Sequence, residues 1–509
     1  MTELSNSVGR RAAVGALIVF LVLRYLILIR FNWQFVDSDQ AVNWLTAVDL
    51  SEARFYSPYF YGQFYNSILE AFCSAPWIAL GLPVEKVVPL VSNLLGALPF
   101  LTLFFFFYSR SNFVLAMVTL AVATCLPIEY HLISSMTRGF MGGLVVLITG
   151  FAFVHYSRWM FQFIGYLLCL VSIFINPNAS VVLAPFALFW IIQHKQYQSH
   201  RKPLLVGAAG FVLIYMAFQL FKAKHPTYQI HKLWELELSW NHFTDSVLHI
   251  NERLASVVPF LPNHGGILFL MLGVILTLVA VRQRSKTSII LIVGGMGFVL
   301  LSFFVNKTTD GSTSIFFPYS RMYLGVPILL VLALSQLITS RLTFKSIGVL
   351  STLVILGFGL QASRLNEVVE QEVRLNSGHV QVKRIYDLCV ACNELKALAD
   401  ENQCELMVFH SKTDEYTYGC KALHPELRTI HPEYDRRAWT FEQEGRKVYD
   451  RVLFLDWNLS LDKLMLHQKG EISVIKNVSY PAYLLENNNV DLITLYRING
   501  LRLRKPMLD

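Results

Sequence analysis

Between residues 12 and 360 this sequence alternates long apolar runs with short polar connectors, too many such runs for one water-soluble core to absorb. A helix needs about twenty mostly apolar residues to cross a bilayer. Runs of that kind fall at 12–30, 85–108, 113–130, 140–156, 161–175, 178–193, 203–221, 266–281, 287–304, 321–338 and 345–360. The pattern predicts a polytopic α-helical membrane protein with about eleven transmembrane helices. An apolar segment at 65–82 is punctuated by Pro and Gly and carries Glu70, which fits a helix lying along the interface. Arg10 and Arg11 precede a run too long for a secretory signal, with no small-residue cleavage site after it, so a first span is expected.

Only 15% of the residues are charged, well below the quarter or so of a soluble domain. The deficit is confined to the apolar part. From residue 363 onward the charge content is that of an ordinary soluble domain, so two units are expected: a transmembrane module at 1–361 and a soluble α/β domain at 362–509. The net charge of +8 does not point to nucleic acid, because no dense Lys/Arg face with interleaved aromatics appears.

The basic residues instead mark topology. Alternate connectors hold Arg10 and Arg11, Arg110, Arg158, Lys195 with Arg201 and Lys202, Arg282 with Arg284 and Lys286, and Arg341 with Lys345. Basic connectors stay in the cytoplasm. The N-terminus is therefore expected inside, in a membrane of bacterial inner-membrane type. The segments 31–84, 131–138, 176–178, 222–265, 305–320 and everything after 363 are expected on the extracytoplasmic face.

In the C-terminal region, 380–399 has helical periodicity, while 405–409, 452–455, 472–475 and 492–496 read as strands. Cys389, Cys392, Cys404 and Cys420 cluster there. Their spacing matches no zinc framework, and structural disulfides or buried thiols are the expectation, with the pairing open. The histidine spacings offer no metal triad.

The first extracytoplasmic loop carries the chemistry. Asp37 and Asp39 lie a few residues beyond the first span, where membrane meets water. Asp37 or Ser38 suits the N-cap of a helix through Ala47, with Asp39 in its first turn. An ionised carboxylate there is also placed to take a proton from an acceptor hydroxyl arriving from water. Tyr61, Gln63, Tyr65 and Glu70 follow, as polar candidates to line a binding site. Arg138, Lys307 and Arg321 stand on the face where basic residues are otherwise scarce, as candidates to hold an anion. The 222–265 loop, with Trp234 and Trp240, is a candidate cover. The run 433–439, with Asp435, Arg436, Arg437 and Trp439, reads as a solvated helix face.

These motifs resemble the GT-C superfamily of polyprenyl-phosphate-sugar glycosyltransferases, particularly bacterial relatives of the protein O-mannosyltransferases and the aminoarabinose transferases. Asp39-Gln40-Ala41 stands where that family has an Asp-Glu-Ala-like motif, with Gln40 replacing the acid. Tyr61-Gly62-Gln63-Phe64-Tyr65 and Leu69-Glu70-Ala71 match a second motif. Thr137-Arg138-Gly139 and Phe317-Pro318-Tyr319-Ser320-Arg321 extend the likeness, which spans the first 360 residues.

The resemblance implies an inverting transferase that moves a sugar from a lipid-linked donor to an acceptor hydroxyl on a glycan, lipid or protein. Asp39, or Asp37 beside it, would be the catalytic carboxylate. No cofactor is required for a monophosphate donor, while a pyrophosphate donor would call for a divalent metal. The alternatives are a lipid-linked sugar flippase, which would place ionisable groups at mid-membrane within inverted repeats, or a surface-polysaccharide polymerase or ligase.

Overall fold

The computed structural model describes residues 2–192, 200–229, 237–259, 262–338, 344–375, 382–410, 414–433, 435–456, 471–475, 482–486, 488–498, 501 and 503. Lys195, Trp234 and Arg341 lie outside the described residues. The fold is mostly helical, and each apolar run is found as a helix or a helix pair. Among the described residues six helices are long and apolar enough to cross a membrane: Ser7–Asn32, Val84–Ser109, Arg201–Lys224, Gly265–Arg282, Tyr319–Leu337 and Lys345–Leu375. Shorter apolar helices are Gly142–Val154, Trp159–Ile175, Pro177–Ile192 and Lys286–Ser302.

The run 113–130 departs from a simple span. It forms Phe113–Cys125 and Ile128–Ser135, bent by 94°. Pro127 stands at the break, where it offers no N–H to continue the ladder and excludes helical geometry before it. The bend turns the second helix so that its C-terminus leads directly into Met136, Thr137 and Arg138. Arg24 of the first span fixes that arrangement. Its Nε donates to Asn93 Oδ1 at 3.0 Å, and its Nη1 donates to Ser134 Oγ at 3.1 Å and to the His131 carbonyl at 3.3 Å. The interfacial segment expected at 65–82 contains the helix Leu69–Ala79.

The first loop and the C-terminal region fold together. Strand β1 (Phe35–Asp37) pairs antiparallel with β2 (Val382–Arg384), Asp37 opposite Val382. The pairing explains why helix begins at Ile385 rather than at 380: the preceding residues are drawn into a ladder. A five-stranded sheet follows in the order β4-β3-β5-β7-β6. In it β3 (Leu406–His410) is parallel to β4 (Thr429–Ile430) and β5 (Val452–Asp456), while β7 (Ala482–Glu486) runs antiparallel to both β5 and β6 (Glu471–Ile475).

Alternate residues of these strands serve two cores, as a pleated strand requires. Met407, Phe409, Leu453 and Leu455 join Leu388 and Tyr418 from the helices Ile385–Glu401 and Asp414–Leu423, and also Val42, Trp44 and Leu45 of the first loop. Val408, Phe454 and Leu485 face the other way, onto Leu492, Leu495 and Tyr496. That second core corrects one expectation: 492–496 is not a strand but part of the helix Leu492–Ile498. Asp491 caps it, accepting from Thr494 N at 2.9 Å and Thr494 Oγ1 at 2.7 Å. A five-residue apolar run carries too little periodicity to separate the two states.

The open cysteine pairing resolves as one disulfide, Cys392–Cys420, which ties the helix Ile385–Glu401 to Asp414–Leu423. Cys389 and Cys404 are free thiols.

Candidate active site

The site begins where β1 ends. Asp37 caps the helix Ser38–Ser51, accepting from Gln40 N at 3.0 Å and Gln40 Nε2 at 3.2 Å. It is fully buried. Arg138 lies against it, with Nε at 3.1 Å and Nη2 at 2.5 Å from Oδ2, and also donates to the Phe316 carbonyl. A carboxylate so enclosed, with both oxygens engaged, is a helix cap and the partner of a buried cation. Burial therefore separates Asp37 from the catalytic part that its sequence position suggests.

Asp39, in the first turn of the same helix, keeps 29% of its side chain exposed. Its Oδ1 lies 2.6 Å from Arg436 Nη1, and its Oδ2 3.8 Å from Arg138 Nη1. Of the two acids, Asp39 is the one a substrate can reach.

A second group of charges converges on Tyr65. Burial, and next the charge of Asp39, push its hydroxyl up to about 12, and Arg436, Arg321 and Asp310 act on it as well. The Lys307 ammonium stands 4.4 Å from the centre of the Tyr65 ring. Burial, followed by the nearby Arg321 charge, pulls Lys307 below the ordinary lysine range. Arg321 lies 3.5 Å from Asp310, donates to the Pro318 carbonyl at 2.8 Å and covers the Phe317 ring at 4.1 Å. Gly311, at φ +151°, leaves room for it, because a Cβ there would come within 2.9 Å of Arg321 Nη1. Asn178 donates to the Arg321 carbonyl at 2.7 Å, joining the 176–178 turn to the cluster.

The remaining predicted residues divide. Gln63 is buried, and its Oε1 has no hydrogen-bond partner. Tyr61 is not a wall of the site: its hydroxyl donates to Asp49 Oδ2 at 3.0 Å, and its ring packs edge-on against Trp439 at 4.7 Å. Glu70 is likewise internal. It accepts from Gly139 N at 2.9 Å and Asn43 Nδ2 at 3.4 Å, while Asn43 also donates to the Thr137 carbonyl at 2.9 Å. Together they clamp the turn that carries Arg138.

Burial pushes Glu70 up to about 8, against the opposing pull of the Gly139 N–H. A carboxyl raised on folding favours the folded state most below its ordinary pKa, near 4, and that contribution is lost as pH rises through about 8. The melting temperature should therefore fall as pH climbs from about 4 to about 8 and level off beyond it, and Glu70→Gln, which cannot ionise, should flatten the fall. Parallel melting curves for the two proteins from pH 6 to pH 9 would remove this reading.

Sequence reasoning missed Arg436 and Asp310. The 433–439 run is not a solvated face: Asp435, Arg436, Arg437 and Trp439 are all buried. Tyr434 lies outside the described residues. Trp439 stacks on Tyr56 at 4.7 Å and meets Tyr228 at 5.0 Å, so the start of the 222–265 loop is packed against the C-terminal region. Among the described residues no three His, Cys, Asp or Glu side chains gather as a metal site would require.

No protein-family model matches this sequence, and no curated protein does. Among solved structures, the chain is similar to the crystal structure of ArnT from Cupriavidus metallidurans bound to undecaprenyl phosphate. That match has 12% identity, covers 93% of this chain and 98% of that one, and gives a TM-score of 0.49. It is similar as well to the same protein in the apo state, at 11% identity, with 94% and 98% coverage and a TM-score of 0.47.

Proposed function

We propose that this chain is an inverting glycosyltransferase of the GT-C type, with about eleven transmembrane helices, its N-terminus in the cytoplasm and its C-terminal α/β region outside. It takes a sugar from a polyprenyl-phosphate donor and passes it to an acceptor hydroxyl. The observation that carries the reading is the gathering of charges around Tyr65: an accessible carboxylate, Asp39, together with the cations Lys307 and Arg321. Asp39 takes the proton of the acceptor hydroxyl. The oxygen attacks the anomeric carbon from the face opposite the phosphate. The bond from that carbon to the phosphate oxygen breaks, and the charge gathering on the phosphate is received by Lys307 and Arg321.

Lys307 supplies a clean test, because its ammonium stands over the Tyr65 ring and, among the described residues, makes no direct ion pair, although the Asp310 charge is near. Lys307→Ala should weaken binding of polyprenyl phosphate about ten- to a hundredfold, the usual weight of one charged hydrogen bond. The melting temperature should be unchanged. Lipid binding equal to that of the native protein would remove Lys307 from the phosphate site. Sugar release from the lipid donor by the purified protein in proteoliposomes tests the function as a whole. Movement of the labelled donor across the bilayer without sugar release would favour the flippase instead.

A further inference from the structure

We infer that Arg436, supplied by the C-terminal sheet, is the positioning residue for Asp39, so that the extracytoplasmic region completes the catalytic site rather than merely covering it. This inference rests on the function proposed above and names a part that the loop motifs do not contain.

Arg436 sits on the turn between β4 and the helix Ala438–Glu444, and that turn is rigidly braced. Asp435 accepts from His431 N at 3.1 Å, from Arg437 N and Nε at 2.9 Å each, and from Arg437 Nη2 at 2.8 Å. Arg437 also donates to the Thr429 carbonyl at 2.8 Å. The Arg436 amide itself donates to the Tyr418 hydroxyl at 2.9 Å. From this base the side chain crosses the first loop at Gly62. That glycine has φ +82°, and a Cβ on it would lie 3.1 Å from both Cβ and Cγ of Arg436. The bareness of Gly62 is therefore the slot through which the arginine passes. The guanidinium runs by the Phe60 ring at 5.6 Å and ends on Asp39 Oδ1 at 2.6 Å.

The last torsion of an aspartate is broad and nearly two-fold. A base working on an incoming hydroxyl needs that torsion fixed, with one oxygen turned to the acceptor. Arg436 Nη1 lies 2.6 Å from one oxygen, and Arg138 Nη1 lies 3.8 Å from the other. Arg436, Arg138 and the Tyr65 hydroxyl are among the groups near Asp39. Of the two cations, Arg138 is already committed to Asp37 and to the Phe316 carbonyl. Of the two, Arg436 is the cation that lies closer to Asp39.

The test compares Arg436→Gln, Arg436→Lys and Gly62→Ala in the full chain, with Asp39→Asn as reference, by measuring kcat and KM for the lipid donor from pH 5 to pH 9. Arg436→Gln should lower kcat about ten- to a hundredfold with little change in donor KM. It should also move the acid limb of the profile up by about one pH unit, because an opposite charge has been removed from the carboxylate. Arg436→Lys should restore the acid limb but not the full kcat, since a point charge does not reproduce the planar fork. Gly62→Ala should lower kcat with Arg436 still present. A purely structural arginine would reduce the yield of folded enzyme and leave the acid limb where it was. An unshifted limb in both Arg436 variants, with Asp39→Asn inactive, would overturn the inference. An active Asp39→Asn would overturn the proposed function itself. If the glutamine variant fails to fold, the lysine and Gly62 variants decide.

Discussion

Asp39→Asn removes sugar transfer by about 10²–10⁴-fold while leaving the fold, the melting temperature and the binding of polyprenyl phosphate close to those of the native protein. Asparagine matches aspartate in shape and still suits the first turn of the Ser38–Ser51 helix, so the substitution removes charge and basicity with little else. Asp39 is partly exposed, and its partners Arg436 and Arg138 both have other contacts to fall back on. The loss should appear in kcat rather than in donor KM if, as proposed, the carboxylate acts on the acceptor's proton as the transition state forms. Measuring released polyprenyl phosphate per folded enzyme separates this from a stability defect. Full turnover in the variant would leave the site without a base.

Arg138→Met produces the other large effect, and on stability rather than chemistry. Removing it strands the fully buried Asp37 carboxylate without its cation, which costs about 3–5 kcal/mol when one member of a buried pair is lost. The double change Asp37→Asn/Arg138→Met should recover most of that, because asparagine remains a good N-cap and no charge is left unpaired. Thermal unfolding in detergent reads both. If Arg138→Met instead keeps the native melting temperature and loses only lipid-phosphate binding, Arg138 belongs with Lys307 and Arg321 as a direct phosphate ligand.

The parts of this molecule that were legible in the sequence are those whose signals are local. Each apolar run announces its helix through composition over a short stretch, and the cap at Asp37 follows from an acid set at the start of a helical pattern. Lys307, Arg321, Arg138, Asp39 and Tyr65 were singled out by motif and topology, and the fold brings them together. Tyr61 and Glu70 were read as substrate contacts because a polar group at an interface looks available. Their partners, Asp49 and the Gly139 amide, are contacts that spacing alone does not reveal. Arg436 was hidden for a stronger reason. A mixed run of Asp, Arg and Trp has the composition of a surface, and its burial depends on β4 and on a bare Gly62 far away in the chain. The available hint was that glycine, whose place in a motif of bulky aromatics has a steric meaning only once something must pass it. The run 113–130 reads as one span in composition, which does not show the bend of 94° that Pro127 introduces.

The ladder between β1 and β2 bears on how the protein is made. Residue 37 leaves the ribosome about 345 residues ahead of its partner at 382. Throughout that interval the helix Ser38–Ser51 rests on one side only, against Ala71, Val84 and Val88 of the early helices, while the C-terminal helices and strands that complete the enclosure of Trp44 and Leu45 are not yet synthesised. A newborn chain therefore waits, half assembled, with Asp39 on a segment covered from one side. A premature stop anywhere before the sheet would leave a set of membrane helices without a working centre.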